Sequence, residues 1–332
     1  MRPNKILIRM PNWLGDCVMA LPLLESLRIK FPEVVIDLAI PADYVSIASL
    51  LPCVSTAYPL DKKHSQQRKM TLRMLLDGEY DLLIILPNSF RSAWELFTRN
   101  IPTRLGYAGE LRSILLTNSP TKTVKHSLHQ SDYYMKLIQH LYPDIPTTKV
   151  RVNIPTTAVD SANKLLAEIS GPIVGIGFGA TFGSAKTWST ERFSKLIRKV
   201  KEWGSPVLLG GPLETPMAKE ILKLSGFKIH SFVGQTDLPT LAAIFTKLAV
   251  YITNDTGPMH LAALMNTPTV ALFGPTAPDE TKPIGSNVKV IYHKQECAPC
   301  WLRECPKQHE CMTAIGVEEV ESVVKNLVEK TC

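Results

Sequence analysis

The chain has 332 residues, of which 45% are hydrophobic and 20% are charged, and this composition excludes an intrinsically disordered protein. The length fits two domains that each bury a core, and the formal net charge of +7 favours an anionic partner such as a nucleotide or a phosphorylated sugar. Basic residues are spread along the chain, with the densest stretch at residues 62–69, and this spread argues against a nucleic-acid partner.

Short apolar runs alternate with helical patterns in the first half of the chain. They predict strands at residues 5–10, 34–40 and 80–86, with a turn and a helix over about residues 16–30 after the first strand. The nearly continuous apolar run at residues 80–86 is typical of a parallel strand covered on both faces. Prolines then break the alternation at residues 144–157, which predicts a linker and a domain boundary after residue 155.

The alternation restarts beyond this linker. It predicts strands at residues 173–178, 207–209, 249–252 and 269–273, and helices at residues 189–201, 238–247, 258–264 and 317–329, the first of them capped by Ser189. The two halves imply an α/β protein with two Rossmann-like, doubly wound domains, residues 1–155 and 156–332, facing each other across a cleft. Ligands of such sheets bind at the carboxyl ends of the strands, so polar residues directly after predicted strands are the candidate site residues.

No segment has the pattern of a membrane span or a signal peptide. The longest apolar runs are of strand length, far short of the about 20 residues that a transmembrane helix needs. The N-terminal apolar run is interrupted by Arg9, and no small-residue cleavage site follows it. We therefore expect a cytoplasmic protein whose membrane contact, where it has one, is peripheral.

The turn after the first predicted strand, residues 11–16, contains a glycine and a carboxylate. Gly15 allows a tight turn, and Asp16 falls at a helix start, where the helix dipole favours negative charge. A plain helix cap explains Asp16 equally well. The segment lacks the Gly-x-Gly-x-x-Gly dinucleotide fingerprint, and a carboxylate would repel a pyrophosphate, so Asp16 fits a general base better than a phosphate cradle.

Residues 177–188 form a glycine-rich segment directly after a predicted strand. The glycines let the backbone approach a ligand closely, Thr181 and Ser184 offer hydroxyl groups, and Lys186 offers a positive charge for a phosphate. The spacing is not that of a Walker A loop. A flexible loop with a solvated lysine is the alternative, and the position at a strand end favours phosphate contact.

Residues 254–260 follow another predicted strand and open a helix. Gly257 and Pro258 fit a turn and a first helical position, which leaves backbone N–H groups for an anion. Asp255 is suited to accept hydrogen bonds from sugar hydroxyls, and His260 lies near the helix start. Two weaker glycine turns, at residues 273–276 and 210–214, also follow strands, and Glu214 in the second is suited to a ribose diol.

Together these segments resemble glycosyltransferase family 9, the ADP-heptose transferases of lipopolysaccharide synthesis. The likeness runs in order over nearly the whole chain, and the Asn-Trp-x-Gly-Asp opening at residues 12–16 is similar to that of the type II heptosyltransferases. The block Asp-Thr-Gly-x-x-His at residues 255–260 is specific to the family. The segments are RMPNWLGD (9–16, with Met19 and Pro22), LPNSFRSA (86–93), RLGY (104–107), AKTW (185–188) and NDTGPMH (254–260).

The resemblance implies a GT-B fold, with an N-terminal acceptor domain and a C-terminal ADP-sugar domain whose last helix packs back on the first. It implies inverting transfer of a heptose from ADP-heptose to the Kdo/heptose inner core of a lipid A–Kdo–heptose acceptor, without a further cofactor. Contact with the cytoplasmic face of the inner membrane would be peripheral. Other family 9 transferases, for a first or third heptose or for an N-acetylhexosamine, remain alternatives.

The resemblance also assigns roles to residues. Asp16 is the base, Lys186 contacts the donor diphosphate and Asp255 contacts the heptose. Phe90 stands where an aliphatic residue is expected, and Arg91 stands where a lysine is expected. A guanidinium forms forked hydrogen bonds that an ammonium group cannot form. By the same likeness, Thr256, Gly257 and His260 line the diphosphate pocket. Thr181, Ser184 and Glu214, from the glycine turns above, complete the predicted donor site. The predicted acceptor-site residues are Asn12, Arg91 and Arg104, with Arg112 as a further cation.

Four of the seven cysteines crowd into one segment: Cys297, Cys300, Cys305 and Cys311. A cytoplasmic location argues against disulfides. With His309 nearby, the cluster fits either a structural zinc site or four reduced thiols, and the compact spacing lacks the separated pairs of a zinc ribbon. We favour reduced thiols.

Two other classes of protein are alternatives to a transferase. The missing Gly-x-Gly-x-x-Gly argues against a nucleotide-dependent oxidoreductase or epimerase. Intact Asp16, Lys186 and Asp255 argue against a non-catalytic sugar-nucleotide binding module.

Overall fold

The computed structural model describes residues 2–61, 65–97, 100–109, 111–120 and 128–329, so residues 62–64 of the basic stretch and Cys332 lie outside the described residues. The chain folds as two compact units, of which unit 1 ends at Asn153 and unit 2 begins at Ile154, whereas the sequence predicted a boundary after residue 155. Each unit contains a parallel sheet with helices, which confirms the predicted α/β class.

Unit 1 is built on a sheet whose described strands are all parallel. The strands are β1 (Lys5–Arg9), β2 (Val35–Pro41), β3 (Thr56–Leu60), β4 (Leu82–Ile85) and β5 (Thr103–Leu105). Their order is β3-β2-β1-β4-β5. The chain therefore winds away from β1 in both directions, and the loops that follow β1 and β4 meet at the switch point of the sheet.

The helices of unit 1 correct one sequence prediction. They are α1 (Leu14–Met19), α2 (Leu21–Lys30), α3 (Gln66–Leu76), α4 (Phe90–Trp94) and α5 (Gln130–Gln139), with 3₁₀ helices at Ala42–Leu50 and Arg112–Leu115. The single helix predicted over residues 16–30 is two helices that meet at Ala20. Pro22 lies in the first turn of α2, where its missing N–H donor is tolerated, whereas inside a continuous helix it would break a hydrogen bond.

Unit 2 repeats the plan with six described strands. They are β6 (Ile173–Gly177), β7 (Ser205–Leu209), β8 (His230–Ser231), β9 (Val250–Asn254), β10 (Thr269–Phe273) and β11 (Val288–Tyr292). All neighbouring pairs are parallel, and the order is β11-β10-β9-β6-β7-β8. The switch point lies between β6 and β9, so the loops after these two strands are the expected ligand position.

The helices of unit 2 cover a sheet made largely of fully buried apolar residues. They are α6 (Thr156–Leu166), α7 (Thr190–Lys201), α8 (Thr215–Ser225), α9 (Leu238–Phe245), α10 (Gly257–Leu264), α11 (Pro278–Thr281), α12 (Glu310–Thr313) and α13 (Val317–Glu329). Ser189 caps α7 as predicted, since its hydroxyl accepts the N–H of Arg192 at 3.3 Å.

The last helix, α13, belongs to the core of unit 2. Val320 and Val324 are fully buried there, α13 packs on α7, and Lys199 Nζ lies 2.8 Å from Glu321 Oε2. Its packing on the first domain stays a prediction. Among the described residues, no helix is long and apolar enough to cross a membrane.

Candidate functional site

A buried amide fixes the loop that follows β6 at the switch point of unit 2. Asn254, the last residue of β9, donates from Nδ2 to the carbonyl oxygen of Phe178 at 2.8 Å and accepts the N–H of Trp188 at 3.1 Å. Both ends of the glycine-rich loop, residues 178–188, are thereby tied to β9. Because Asn254 is fully buried, these bonds form away from water and hold the loop in place.

The centre of this site is an ion pair between two predicted donor-site residues. Lys186 Nζ lies 2.5 Å from Asp255 Oδ2, and the two side chains are only 11% and 5% exposed. The hydroxyl of Thr276 donates to the same oxygen at 2.6 Å. Lys186 follows β6, Asp255 follows β9 and Thr276 follows β10, so three neighbouring strands each supply one member of the cluster.

The helix start beside Asp255 offers backbone donors to an anion. α10 begins at Gly257, its N-cap residue Thr256 makes no capping hydrogen bond with its side chain, and Pro258 lies in the first turn. The Thr256 hydroxyl is 3.3 Å from that of Thr253. His260 is buried within α10. The N-terminal turn thus combines the helix dipole with N–H groups that no capping side chain occupies.

The other predicted donor-site residues surround the same strand ends. Thr181 and Ser184 are exposed on the loop after β6. Glu214, after β7, accepts the backbone N–H of Gly211, and a Cβ added to Gly179 would lie 2.2 Å from Glu214 Oε1. The Glu214 carboxylate therefore rests on the glycine loop, and burial raises its pKa although the Gly211 N–H opposes the shift.

A distant segment supports this loop, and sequence reasoning missed it. The carbonyl oxygen of Arg303 accepts the N–H of Ala185 at 3.0 Å, and His309 Nε2 lies 2.5 Å from the carbonyl oxygen of Ala185. The Phe182 ring has Lys186 Nζ 4.7 Å from its centroid and the Arg303 guanidinium 5.6 Å from it. Residues 303–309 thereby brace the turn that carries Lys186.

In unit 1, Asp16 occupies the first turn of α1 after β1. The helix begins at Leu14, with Trp13 as its N-cap residue, so the explanation of Asp16 as a simple cap is wrong. Burial raises the pKa of the Cys17 thiol and of the Tyr134 hydroxyl, and the negative charge of Asp16 adds to both shifts. Asp16 itself is half-buried. Because it follows β1, it places a carboxylate at the switch point of this sheet.

A buried arginine shapes the loop that leads to Asp16. Arg9 ends β1, donates from Nη1 to the carbonyl oxygen of Met10, and donates from Nη2 to Asn12 Oδ1 at 2.8 Å. Burial lowers its pKa to about 10, with the charge of Glu95 opposing the shift. Asn12 is exposed, and its amide N–H groups can donate hydrogen bonds to a ligand.

The three predicted acceptor-site cations differ in their surroundings. Arg91 is 58% exposed and bonds Glu95 from Nε at 2.7 Å. Arg104 instead donates to the carbonyl oxygens of Leu115 and Ile101 at 2.8 and 2.6 Å, which favours a structural role. Arg112 is fully buried and donates to a backbone carbonyl at 2.7 Å, which argues against the expected contact with the acceptor sugars.

An aromatic and amide group after β4 also escaped sequence reasoning. Asn88 Nδ2 donates to the hydroxyl of Tyr133 at 3.0 Å, and the rings of Tyr133 and Tyr107 stack with centroids 4.1 Å apart. Asn88 follows β4 and is exposed. Tyr133 comes from α5, far along the chain, and no local pattern signals this contact.

Comparison with known proteins identifies the family. The model of glycosyltransferase family 9 (heptosyltransferase) matches residues 68–310. The chain belongs to glycosyltransferase family 9. It is 30% identical over 312 residues to lipopolysaccharide heptosyltransferase 2 of Escherichia coli K12, covering 87% of this chain and 90% of that protein. It is 32% identical over 307 residues to lipooligosaccharide heptosyltransferase 2 of Haemophilus ducreyi, covering 86% and 88%.

A solved structure supports the same assignment. The transferase aligns with the structure of E. coli ADP-heptose LPS heptosyltransferase II with a TM-score of 0.84 and 26% identity, covering 98% of this chain and 99% of that one. The predicted GT-B class and the family resemblance are thereby confirmed.

The cysteine cluster of the transferase does not have the geometry of a metal site. Across the described residues, no group of three or more His, Cys, Asp and Glu side chains is arranged to hold a metal ion. Cys297, Cys300, Cys305 and Cys311 are free thiols. Burial raises the pKa of Cys311 to about 11, and the other three thiols add to that shift. The segment instead contacts the glycine-rich loop, residues 178–188, through Arg303 and His309.

Proposed function

We propose that this family 9 transferase moves a heptose from ADP-heptose to the inner core of lipopolysaccharide, as a type II heptosyltransferase. The observation that carries the proposal is the Lys186–Asp255 pair at the switch point of unit 2, beside the start of α10. Its relatives named heptosyltransferase 2 match it over most of both chains, which supports the choice of donor and acceptor class.

Donor recognition divides between charges and hydrogen bonds in unit 2. Lys186 and the N–H groups at the start of α10 bind the diphosphate, and Asp255 accepts hydrogen bonds from heptose hydroxyls. Glu214 accepts from the ribose hydroxyls. Thr181 and Ser184, exposed on the same loop, add hydroxyl donors. The charge that develops on the departing ADP is met by Lys186 and the helix dipole, so the proposal includes no further cofactor.

Transfer proceeds by a single displacement with inversion. An acceptor hydroxyl attacks the anomeric carbon, the bond from that carbon to the phosphate oxygen breaks, and ADP leaves from the opposite face. Asp16 takes the hydroxyl proton late in the step. A carboxylate is a weak base, so accurate positioning contributes much of the rate. Exposed Asn12, Asn88 and Arg91 in unit 1 suit the anionic sugars of the acceptor.

A lipid-linked acceptor of the lipid A–Kdo–heptose type brings the enzyme to the cytoplasmic face of the inner membrane as a peripheral protein. Exposed apolar side chains of unit 1 support this. Trp94 is 60% exposed, and Leu111 and Ile114 are each 76% exposed. α4, which carries Trp94, packs beside the 3₁₀ helix that contains Ile114. Tryptophan and aliphatic side chains favour the bilayer interface.

The test compares acceptors with ADP-heptose as the donor. ADP release is measured with Kdo-terminated lipid A and with heptosyl-Kdo lipid A. We expect release with the heptose-terminated acceptor alone. Release only with the Kdo-terminated acceptor would make the enzyme one that adds the first heptose, and release with neither, from folded protein, would contradict heptose transfer.

A further inference from the structure

Thr276 lies in a glycine turn to which the proposed function gives no role. It is fully buried, and its hydroxyl donates to the Asp255 oxygen that also pairs with Lys186. Resting on the proposed function, we infer that Thr276 is a positioning residue that holds Asp255 in a resting pair with Lys186. Tight binding then requires the sugar of the donor as well as its diphosphate.

The charges of the Lys186–Asp255 pair determine which ligand binds tightly. Lys186 and Asp255 are both largely buried, and each compensates the charge of the other. A diphosphate that draws Lys186 away leaves the Asp255 carboxylate near new negative charge. Sugar hydroxyls can satisfy this carboxylate, whereas ADP alone brings no donor to it. The site thereby favours the intact donor over the product ADP, and re-forming the pair assists ADP release.

The turn that carries Thr276 is itself fixed. The carbonyl oxygen of Pro275 accepts the N–H groups of both Cys300 and Trp301 at 2.9 Å. A Cβ on Gly274 would lie 2.4 Å from Met312 Sδ, so the turn packs closely on the C-terminal segment. Thr276 is therefore held in place while Lys186 exchanges partners, and its hydroxyl keeps Asp255 aimed at the sugar.

The first test compares Thr276→Val, Thr276→Ser and Thr267→Val by calorimetric binding of ADP and ADP-heptose, with thermal unfolding measured in parallel. Thr267 is a matched control, since it is also buried and donates to the carbonyl oxygen of Phe245 at 2.7 Å, at the other end of β10. We expect Thr276→Val to weaken ADP-heptose binding about tenfold and to leave ADP binding unchanged. Thr276→Ser should restore donor binding, and Thr267→Val should not alter the preference.

The second test uses a variant in which ADP should bind more tightly. In Asp255→Asn, Lys186 no longer faces an internal carboxylate, so ADP should bind about tenfold more tightly while ADP-heptose binds more weakly. Equal losses for both ligands in Thr276→Val, or weaker ADP binding in Asp255→Asn, would overturn the inference and leave the proposed function standing. An unaltered chain that binds neither ligand would overturn the proposed function, and the inference with it.

Discussion

Three carboxylates have separate roles in the proposed reaction, and their surroundings differ accordingly. Asp255 is nearly buried and bonded to Lys186 and Thr276, which suits a fixed hydrogen-bond acceptor for a sugar. Glu214 is partly buried, accepts the backbone N–H of Gly211 and packs against Gly179. Asp16 is half-buried in the first turn of α1. In this proposal, the surroundings of each carboxylate, more than its residue type, decide whether it is a hydrogen-bond acceptor or the general base.

Glu214 gives a prediction about pH. Burial raises its pKa, so the folded protein holds this proton more tightly than the unfolded chain does. The group therefore lowers stability as pH rises from the usual carboxyl range, about pH 4, through the raised value. Glu214→Gln should be as stable as the unaltered chain or more so near neutral pH, and its advantage should vanish in acid.

The same variant should raise the KM for ADP-heptose about tenfold, since an amide accepts less strongly than a carboxylate from ribose hydroxyls. Thermal unfolding at several pH values and donor kinetics check both effects, with Glu220→Gln, an exposed carboxylate of α8, as the control. A loss of stability at neutral pH would contradict the account of Glu214.

At the scale of elements, the alternation predicted seven of the eleven described strands, and the strand ends then gave most of the candidate site. Strands β3, β5, β8 and β11 were not predicted. Asp16, Lys186 and Asp255 were found from the strand ends. Arg303, His309 and Tyr133 were not, because their contacts join segments far apart in the chain. The sequence also does not reveal that the guanidinium groups of Arg104 and Arg112 donate to backbone carbonyl oxygens, and the acceptor-site role of Arg104 stays a prediction.

The contact between His309 and the glycine-rich loop, residues 178–188, gives a prediction about donor binding. His309→Ala removes the ring that contacts the carbonyl oxygen of Ala185, one residue before Lys186. We expect weaker donor binding, by several-fold, and a loss of about 1–3 kcal/mol in stability. His293→Ala, which removes an exposed contact to Glu319 in the same unit, should change neither. Donor binding unchanged in His309→Ala would show that the loop holds its shape without this support.

At the scale of the whole molecule, two similar sheets carry different chemistry at corresponding places. The switch point of unit 1 presents a carboxylate, and that of unit 2 presents a lysine, a carboxylate and a helix start. The carboxylate of unit 1 repels a diphosphate, whereas Lys186 and the backbone N–H groups at the start of α10 attract one. This difference supports the proposal that unit 1 binds the acceptor and unit 2 binds the nucleotide sugar.

The exposed apolar surface of unit 1 gives a prediction about membranes. The double variant Trp94→Ser/Ile114→Ser should bind anionic lipid vesicles about tenfold more weakly in sedimentation assays, because less apolar area enters the interface. Leu213→Ser is the control, since Leu213 is 87% exposed in unit 2. Equal binding by the two variants would assign the membrane contact to another surface.

Acceptor-dependent release of ADP from ADP-heptose by the unaltered chain and by Asp16→Asn tests the central claim most directly. Asp132→Asn is the matched control, because Asp132 is an exposed carboxylate in the first turn of α5. We expect kcat to fall about 10²- to 10⁴-fold in Asp16→Asn, with ADP-heptose binding retained, and Asp132→Asn to behave as the unaltered chain. Full acceptor-dependent release by Asp16→Asn would contradict the central claim.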